Sequence, residues 1–173
     1  MKKRLHAQSG GLVIALVLSL TAGAAETTNV PMRQGGATTF YIEASVGDLA
    51  AQDFMVDTGS GYMTINEITL AELQQHNQAH YQGDLRGVLA NGSEILVPLY
   101  RVSQLAIGGC LLQNVDAAVF PGKTRQILGL NALRQAGTFT FSFNPPQLQL
   151  GNCPQAQLLA DAAAVAEPTP VAD

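Results

Sequence analysis

An aspartate at the end of a short apolar strand is the strongest candidate for chemistry in this sequence. Phe54-Met55-Val56 is followed directly by Asp57-Thr58-Gly59-Ser60. Such a strand delivers a carboxylate into a tight turn at the edge of the core, where dehydration raises its energy and N–H groups of the turn can stabilise it. The sequence therefore predicts a reactive carboxylate at Asp57. Asp, Gly and Ser also form ordinary turns, so the motif alone leaves that alternative open.

The other residues with suitable chemistry lack the spacing that a known site needs. His76 and His80 are four residues apart, but Asn77 stands where a zinc peptidase has glutamate, and no third ligand is evident. We expect surface histidines and no metal site. Gly122-Lys123-Thr124 lacks the first glycine of a phosphate-binding loop, and we interpret it as a solvated turn.

Short strands separated by turns surround the Asp57 motif. Apolar residues alternate with polar ones over residues 40–46, which is typical of a half-buried strand, and further short apolar runs follow. A capping box at Thr69-Leu70-Ala71-Glu72 predicts one helix through about His76. A second helix is predicted with Asn131 as its cap and Gly137 at its end. These features predict an all-β domain, a closed or partly closed barrel with one or two short helices.

A hairpin is predicted between residues 86 and 102. Asn91-Gly92 is the strongest two-residue turn signal, and β-favouring residues flank it on both sides. Pro98 has no N–H group to donate, so the returning strand is expected to lie at an edge or to leave its ladder there.

The order of these features resembles the retropepsin-like aspartic peptidases, in particular their small exported bacterial members. The resemblance covers Thr38 to about Gly151. It rests on the alternating strand, the apolar-apolar-apolar-Asp-Thr-Gly-Ser element, the hairpin in the flap position, and Ile127-Leu128-Gly129 before a short helix. It implies a single-lobe retropepsin-like barrel that hydrolyses peptide bonds without a metal or organic cofactor.

The resemblance also implies a role for each residue of the motif. Asp57 would be the catalytic carboxylate, and Thr58 would brace two paired loops through its hydroxyl. Gly59 would offer its backbone N–H to the carboxylate. Ser60 would hydrogen-bond the outer carboxylate oxygen.

Two further segments receive roles from the same resemblance. Asn91 and Gly92 would sit at the tip of a flap over a bound peptide, and Ile127, Leu128 and Gly129 would pack under the active-site loop.

The sequence departs from the retroviral members of the family at two places. Those members carry Asp shortly after the Asp-Thr-Gly motif, and Gly-Arg-Asn or Gly-Arg-Asp after the apolar pair that corresponds to Ile127-Leu128. Here Gly61-Tyr62 and Gly129-Leu130-Asn131 occupy those places. A retroviral style of dimer bracing is therefore not implied.

One copy of the motif supplies only half of the chemistry. Amide hydrolysis of this type needs one carboxylate to take a proton from water and a second, protonated one to polarise the carbonyl. The chain has one Asp-Thr-Gly, and no motif pairs Asp84 or Asp116 with Asp57. We therefore expect a homodimeric endopeptidase with a peptide or protein substrate at the subunit interface. The alternatives are a non-catalytic peptide-binding module and a structural envelope module on the same fold.

The first 24 residues of the chain predict export. Residues 1–24 have a basic start, an apolar run and the small residues Ala22-Gly23-Ala24, the pattern of a cleaved signal peptide. The apolar run is shorter than the roughly 20 residues of a spanning helix, so no stable membrane span is expected after cleavage.

The rest of the chain divides into three predicted segments. Residues 25–37 are interpreted as a flexible lead-in, 38–153 as the peptidase domain, and 154–173 as an Ala/Pro-rich flexible tail.

Charge and cysteine content narrow the partners and the compartment. The net charge is −4, and three of the nine Lys and Arg residues belong to the signal segment, so a nucleic-acid partner is not expected. Cys110 and Cys153 are the only cysteines. In an oxidising compartment, periplasmic or extracellular, they are predicted to form a disulfide, with two buried free thiols as the alternative.

Overall fold

The computed structural model describes residues 27–151 and Cys153. The predicted signal peptide, residues 25–26 of the predicted lead-in and the predicted tail, residues 154–173, lie outside the described residues. The described elements, in chain order, are β1 (Thr28–Pro31), β2 (Arg33–Gln34), β3 (Phe40–Val46), β4 (Gln52–Val56), β5 (Met63–Asn66), α1 (Glu67–Gln75), β6 (Ala79–Val88), β7 (Glu94–Ile107), β8 (Cys110–Phe120), β9 (Gln126–Leu128), α2 (Leu130–Gln135), β10 (Phe139–Phe143) and β11 (Pro146–Leu150).

These strands form one large sheet and one small one. The eight-stranded sheet has the order β2-β3-β4-β9-β5-β8-β7-β6, and an additional pairing of β3 with β7 bends it into a partly closed ring. The three-stranded sheet has the order β1-β11-β10. The predicted all-β, partly closed barrel with two short helices is therefore confirmed. Among the described residues, no helix has the length and apolar character needed to cross a bilayer.

The core lies inside this ring. In β3 the predicted alternation is confirmed, because Phe40, Ile42, Ala44 and Val46 are buried and the residues between them face outward. Burial of such apolar side chains contributes about 1.5–3 kcal/mol each before entropy is counted. The largest fully buried side chains come from both helices and most strands: Phe54, Ile42, Met63, Ile65, Leu73, Leu105, Ile107, Leu112, Leu128, Leu133, Leu148 and Leu150.

The starts of both helices differ from the prediction. Helix α1 is capped by Asn66, whose side-chain oxygen accepts a hydrogen bond from Thr69 N at 3.0 Å. Asn is among the best N-cap residues, so the helix starts before the expected capping box, and Thr69 is buried inside it. Helix α2 is capped by Gly129 rather than Asn131, while Gly137, with φ 78°, follows its end as predicted.

The predicted flexible lead-in is wrong for residues 28–34. Strand β1 pairs antiparallel with β11, from Thr28 opposite Leu150 to Pro31 opposite Gln147, and Val30 and Met32 are buried. The segment shows no apolar period because only two of its side chains face the core. Residues 28–31 pair with a strand more than a hundred residues away in the chain, and Arg33 and Gln34 pair with the nearby β3.

The predicted disulfide between Cys110 and Cys153 is present. Both residues are buried, and the bond ties the start of β8 to the segment after β11. It therefore joins the large sheet to the small one.

Candidate active site

The Asp57 loop starts where β4 ends beside β9. The two strands are parallel, with Val56 opposite Leu128, and Asp57 N donates to Leu128 O at 3.1 Å. Asp57 Oδ1 accepts a hydrogen bond from Gly59 N at 2.9 Å, the contact expected for that glycine. Ser60 N donates to Asp57 O at 3.2 Å and closes the turn. The half-buried carboxylate is therefore held by its own loop.

The two hydroxyl residues of the motif have different surroundings. The expected bond from Ser60 to the outer carboxylate oxygen is not formed, because Ser60 Oγ donates instead to Tyr62 O, only two residues away, at 2.7 Å. Thr58 is exposed and lines a surface hollow together with Val56. Its expected role in bracing two loops concerns a second subunit and stays a prediction.

The start of α2 supports the loop from below. The first N–H groups of a helix have no partner within the helix. Here Leu130 N donates to Ser60 O at 2.8 Å, and Asn131 N donates to Gly61 O at 3.1 Å. The segment Ile127-Leu128-Gly129 thus lies against the active-site loop, where the sequence analysis expected it.

Gly129 is needed for this close approach. A Cβ atom at this position would lie 2.2 Å from the carbonyl oxygen of Tyr62 and 2.9 Å from Met63 N. Both contacts are with backbone, which cannot move aside as a flexible side chain can. Any larger residue must push α2 away from the loop.

Asn131 has a positional role that the sequence analysis missed. Its Oδ1 accepts from Met63 N and its Nδ2 donates to Asp116 O, both at 2.6 Å. The side chain therefore links α2 to β5 and β8 directly behind the loop. The signal for this role in the sequence is the position of Asn131 two residues after Gly129. The sequence analysis interpreted Asn131 as a helix cap instead.

The hairpin of β6 and β7 projects beyond the rest of the sheet. Strand β7 pairs with β8 only from Leu99, opposite Ala118, onward, whereas residues 94–98 pair with β6 alone. Pro98 thus stands where β7 leaves its ladder with β8, as predicted. The projecting part has the flap position relative to the Asp57 loop, because its inner residues share a cleft with that loop.

The turn at the tip of the hairpin is longer than predicted. Leu89 N donates to Ser93 O and Gly92 N donates to Leu89 O, both at 2.8 Å, so the loop contains three residues, Ala90 to Gly92. Gly92 has φ 82°, while Asn91 has no positive φ and therefore cannot form the two-residue turn. Instead, Asn91 Oδ1 accepts hydrogen bonds from Ser93 N and Oγ.

A cleft of about 510 Å³ lies between the flap and the Asp57 loop. Among its described lining residues, Asp57 is the single acidic side chain and Arg86 the single basic one. Most of the others are apolar: Leu85, Val88, Leu89, Ala90, Ile95, Val97, Ala118, Phe120 and Ile127. The cleft thus presents one carboxylate in largely apolar surroundings.

Comparison with known proteins identifies the family of this fold and loop. The model of the family described as "Aspartyl protease" matches residues 42–132, just over half of the chain. The chain belongs to the aspartyl protease family. A retropepsin-like aspartic protease from Rickettsia conorii has a similar fold, with a TM-score of 0.52 and 19% sequence identity over 74% of this chain and 93% of that one. No curated protein matches the chain.

The other acidic residues considered for this aspartyl protease have partners elsewhere. Arg101 forms two hydrogen bonds with Asp116, at 2.8 and 3.0 Å, and this interaction raises the pKa of Arg101. Asp84 accepts from the hydroxyl of Tyr81 at 2.9 Å, which raises the pKa of Tyr81. Neither carboxylate lines the cleft. Within the described residues, a second carboxylate for Asp57 is therefore not available from the same chain.

The histidines do not share a helix face. Helix α1 ends at Gln75, His76 follows it, and His80 lies in β6, with both side chains exposed. Residues 27–151 and Cys153 contain no group of three or more His, Cys, Asp or Glu side chains arranged to hold a metal ion.

Proposed function

We propose that this aspartyl protease is an endopeptidase that works as a homodimer on extended polypeptide segments. The observation that carries the proposal is the position of Asp57, which among the described residues is the single acidic one lining the cleft beneath the flap hairpin. Family membership and fold support the reaction class.

The mechanism follows from the needs of amide hydrolysis. One Asp57 carboxylate takes a proton from a water molecule, and a second Asp57, protonated, donates to the carbonyl oxygen of the scissile bond. Two carboxylates in contact do not both ionise at neutral pH, because the second charge is repelled by the first. A two-fold axis that relates two identical loops supplies this pair. The active dimer thus has one cleft, two Asp57 residues and two flaps.

The proposal extends to the role of each supporting residue. Thr58, Gly59 and Ser60 shape the loop, Asn91 and Gly92 form the flap tip, and residues 127–129 hold the loop from below. The bond from Gly59 N to Asp57 Oδ1 supports this assignment. The apolar lining of the cleft favours substrate segments with apolar side chains near the scissile bond.

Export forms part of the proposal. The basic start, apolar run and Ala22-Gly23-Ala24 predict a signal peptide cut after Ala24, and the Cys110–Cys153 disulfide favours an oxidising compartment. The mature protein then acts in the periplasm or outside the cell. The domain includes β1 and therefore extends to the N-terminal side of residue 38.

The test uses residues 25–173 and a mixture of unstructured peptides. We expect the wild type to cleave them and Asp57→Asn to abolish cleavage, while circular dichroism and sedimentation show the same fold and the same dimer for both. The substitution preserves the shape of the side chain and removes its proton chemistry. If wild type and Asp57→Asn are equally inert as dimers from acidic to neutral pH, the protein is a peptide-binding module instead.

A further inference from the structure

A buried hydroxyl in the cleft has no partner among the described residues. Thr64 lines the cleft together with Asp57, yet it is only 5% exposed. Its Oγ1 atom forms no hydrogen bond with any described residue. Burying a hydroxyl without a hydrogen bond costs free energy, so such groups are rare in native proteins. In a substrate cleft, a group of the bound peptide can supply the missing partner.

Strand β5 presents Thr64 to the cleft rather than to the core. Side chains alternate between the two faces of a strand, and Met63 and Ile65, on either side of Thr64, belong to the core. Thr64 lies opposite Ala118 of β8 and Ile127 of β9, and both of these residues also line the cleft. The hydroxyl therefore lies in the floor of the cleft, between two side chains that cannot bond to it.

The other buried polar side chains that the structure describes have partners within the fold. Thr69 Oγ1 donates to Gln52 Oε1 at 3.2 Å, and the side-chain amide of Gln126 donates to the same oxygen. Neither Thr69 nor Gln126 lines the cleft. Among the described residues, Thr64 is therefore the buried polar residue of the cleft.

A change of rotamer brings the hydroxyl into the cleft. In the present conformation the Oγ1 atom of Thr64 is screened from solvent. Rotation about the Cα–Cβ bond to another staggered rotamer moves the hydroxyl to the place of the methyl group. This rotation breaks no hydrogen bond with the described residues, because none is formed. A polar atom of a bound peptide can therefore draw the hydroxyl out of its unpartnered position.

We propose that Thr64 selects a short, uncharged polar side chain of the substrate, Ser, Thr or Asn, at one position near the scissile bond. The inference rests on the proposed function and adds one polar position to the apolar preference given there. A hydroxyl both donates and accepts, so it matches hydroxyl and amide groups. An apolar side chain leaves it without a partner. A charged side chain fits poorly, because Ala118 and Ile127 offer no opposite charge.

The first test combines Thr64→Val with pairs of peptides that differ only by Thr or Val at one position. Val has the shape of Thr without the hydroxyl, so the four combinations form a double-mutant cycle for the proposed bond. The Thr or Val is moved through each position around the cleavage site. At one position we expect the wild-type kcat/KM to be about 5- to 50-fold higher for the Thr peptide, and nearly equal for both peptides in Thr64→Val. Equal ratios in both enzymes at every position would overturn the inference.

Thr69→Val is the matched control, because it changes another buried threonine in the same way. We expect it to lower the midpoint of urea unfolding, since it removes the hydrogen bond to Gln52, and to keep the wild-type peptide ratios. Thr64→Val should not lower the midpoint, because it removes a hydroxyl that has no partner. A lower midpoint for Thr64→Val with unchanged peptide ratios would show that its hydroxyl stabilises the fold, and the inference would be wrong.

Binding measurements separate this inference from the proposed function. Calorimetry gives the Kd of each peptide for Asp57→Asn. If wild type cleaves no peptide but Asp57→Asn binds the Thr peptide about 5- to 50-fold more tightly than the Val peptide, the catalytic proposal fails and the Thr64 inference stands. If wild type cleaves the peptides and Thr64→Val lowers kcat/KM equally for all of them, the peptidase function stands and the inference fails. A protein that neither cleaves nor binds the peptides overturns both.

Discussion

Gly129 shows how a missing side chain positions a reactive carboxylate. Its lack of a Cβ lets the start of α2 reach the backbone between the Asp57 loop and β5. Two backbone N–H groups of that helix then donate to the loop carbonyls of Ser60 and Gly61. In the part of the chain that the structure describes, Asp57 is held by this arrangement rather than by a charged partner.

Gly129→Ala tests this arrangement at the scale of one residue. We expect it to lower the free energy of unfolding by about 1–3 kcal/mol, because the added methyl group overlaps the Tyr62 carbonyl. We also expect a lower kcat, since the loop must shift. Urea unfolding and peptide cleavage measure the two effects.

The control for that change is Gly109→Ala. An added Cβ at Gly109 meets nothing within 4 Å, and the residue has no positive φ. We expect a change within about 0.5 kcal/mol and normal cleavage. Equal effects of the two substitutions would show that close packing at Gly129 is unimportant.

At the scale of elements, the flap is a two-stranded hairpin that depends on its own turn. Residues 94–98 of β7 pair with β6 alone, and Arg86 donates to Glu94 at 2.6 Å across the hairpin, with both side chains largely exposed. An exposed ion pair contributes only about 0–1 kcal/mol. The geometry of the tip therefore matters more to the position of the flap than this pair does.

Gly92→Ala should disturb the flap without disturbing the core. Its φ of 82° disfavours any residue with a Cβ, at roughly 1–2 kcal/mol, and no atom lies within 4 Å of the added group. If the flap must close on the peptide, kcat/KM should fall by about 5- to 20-fold. Gly92→Asn should recover part of the loss, because Asn tolerates this conformation better than Ala. Identical values for Ala and Asn would argue against a backbone cause.

At the scale of the whole molecule, the two sheets are joined through the Cys110–Cys153 bond and the packing between them. Strand β1 enters the small sheet from the start of the described residues, and β11 enters it from the end. The small sheet therefore needs both ends of the domain in place.

The double variant Cys110→Ser/Cys153→Ser tests the covalent link. The bond closes a loop with a sequence separation of 43, so its loss should lower the free energy of unfolding by about 4 kcal/mol on the chain-entropy model. Urea unfolding measures this difference. A reducing agent should destabilise the wild type to a similar extent and leave the variant unchanged. A wild type that reductant does not affect would contradict the prediction.

The amino-acid sequence by itself determined the features that depend on neighbouring residues. The alternation of β3, the turn that carries Asp57 and the glycine after α2 all follow from local geometry, and each is present in the structure. The ordered set of these features also identified the family. Such features can be predicted because a few consecutive residues decide the backbone conformation.

The tertiary structure alone decided the features whose partners are distant in the chain. Strand β1 is ordered by β11, and Asn131 serves β5 and β8 instead of capping its own helix. Ser60 donates to Tyr62 because the loop, held by α2, brings that carbonyl within reach. In each case several local conformations were available to the sequence, and packing against remote residues selected one.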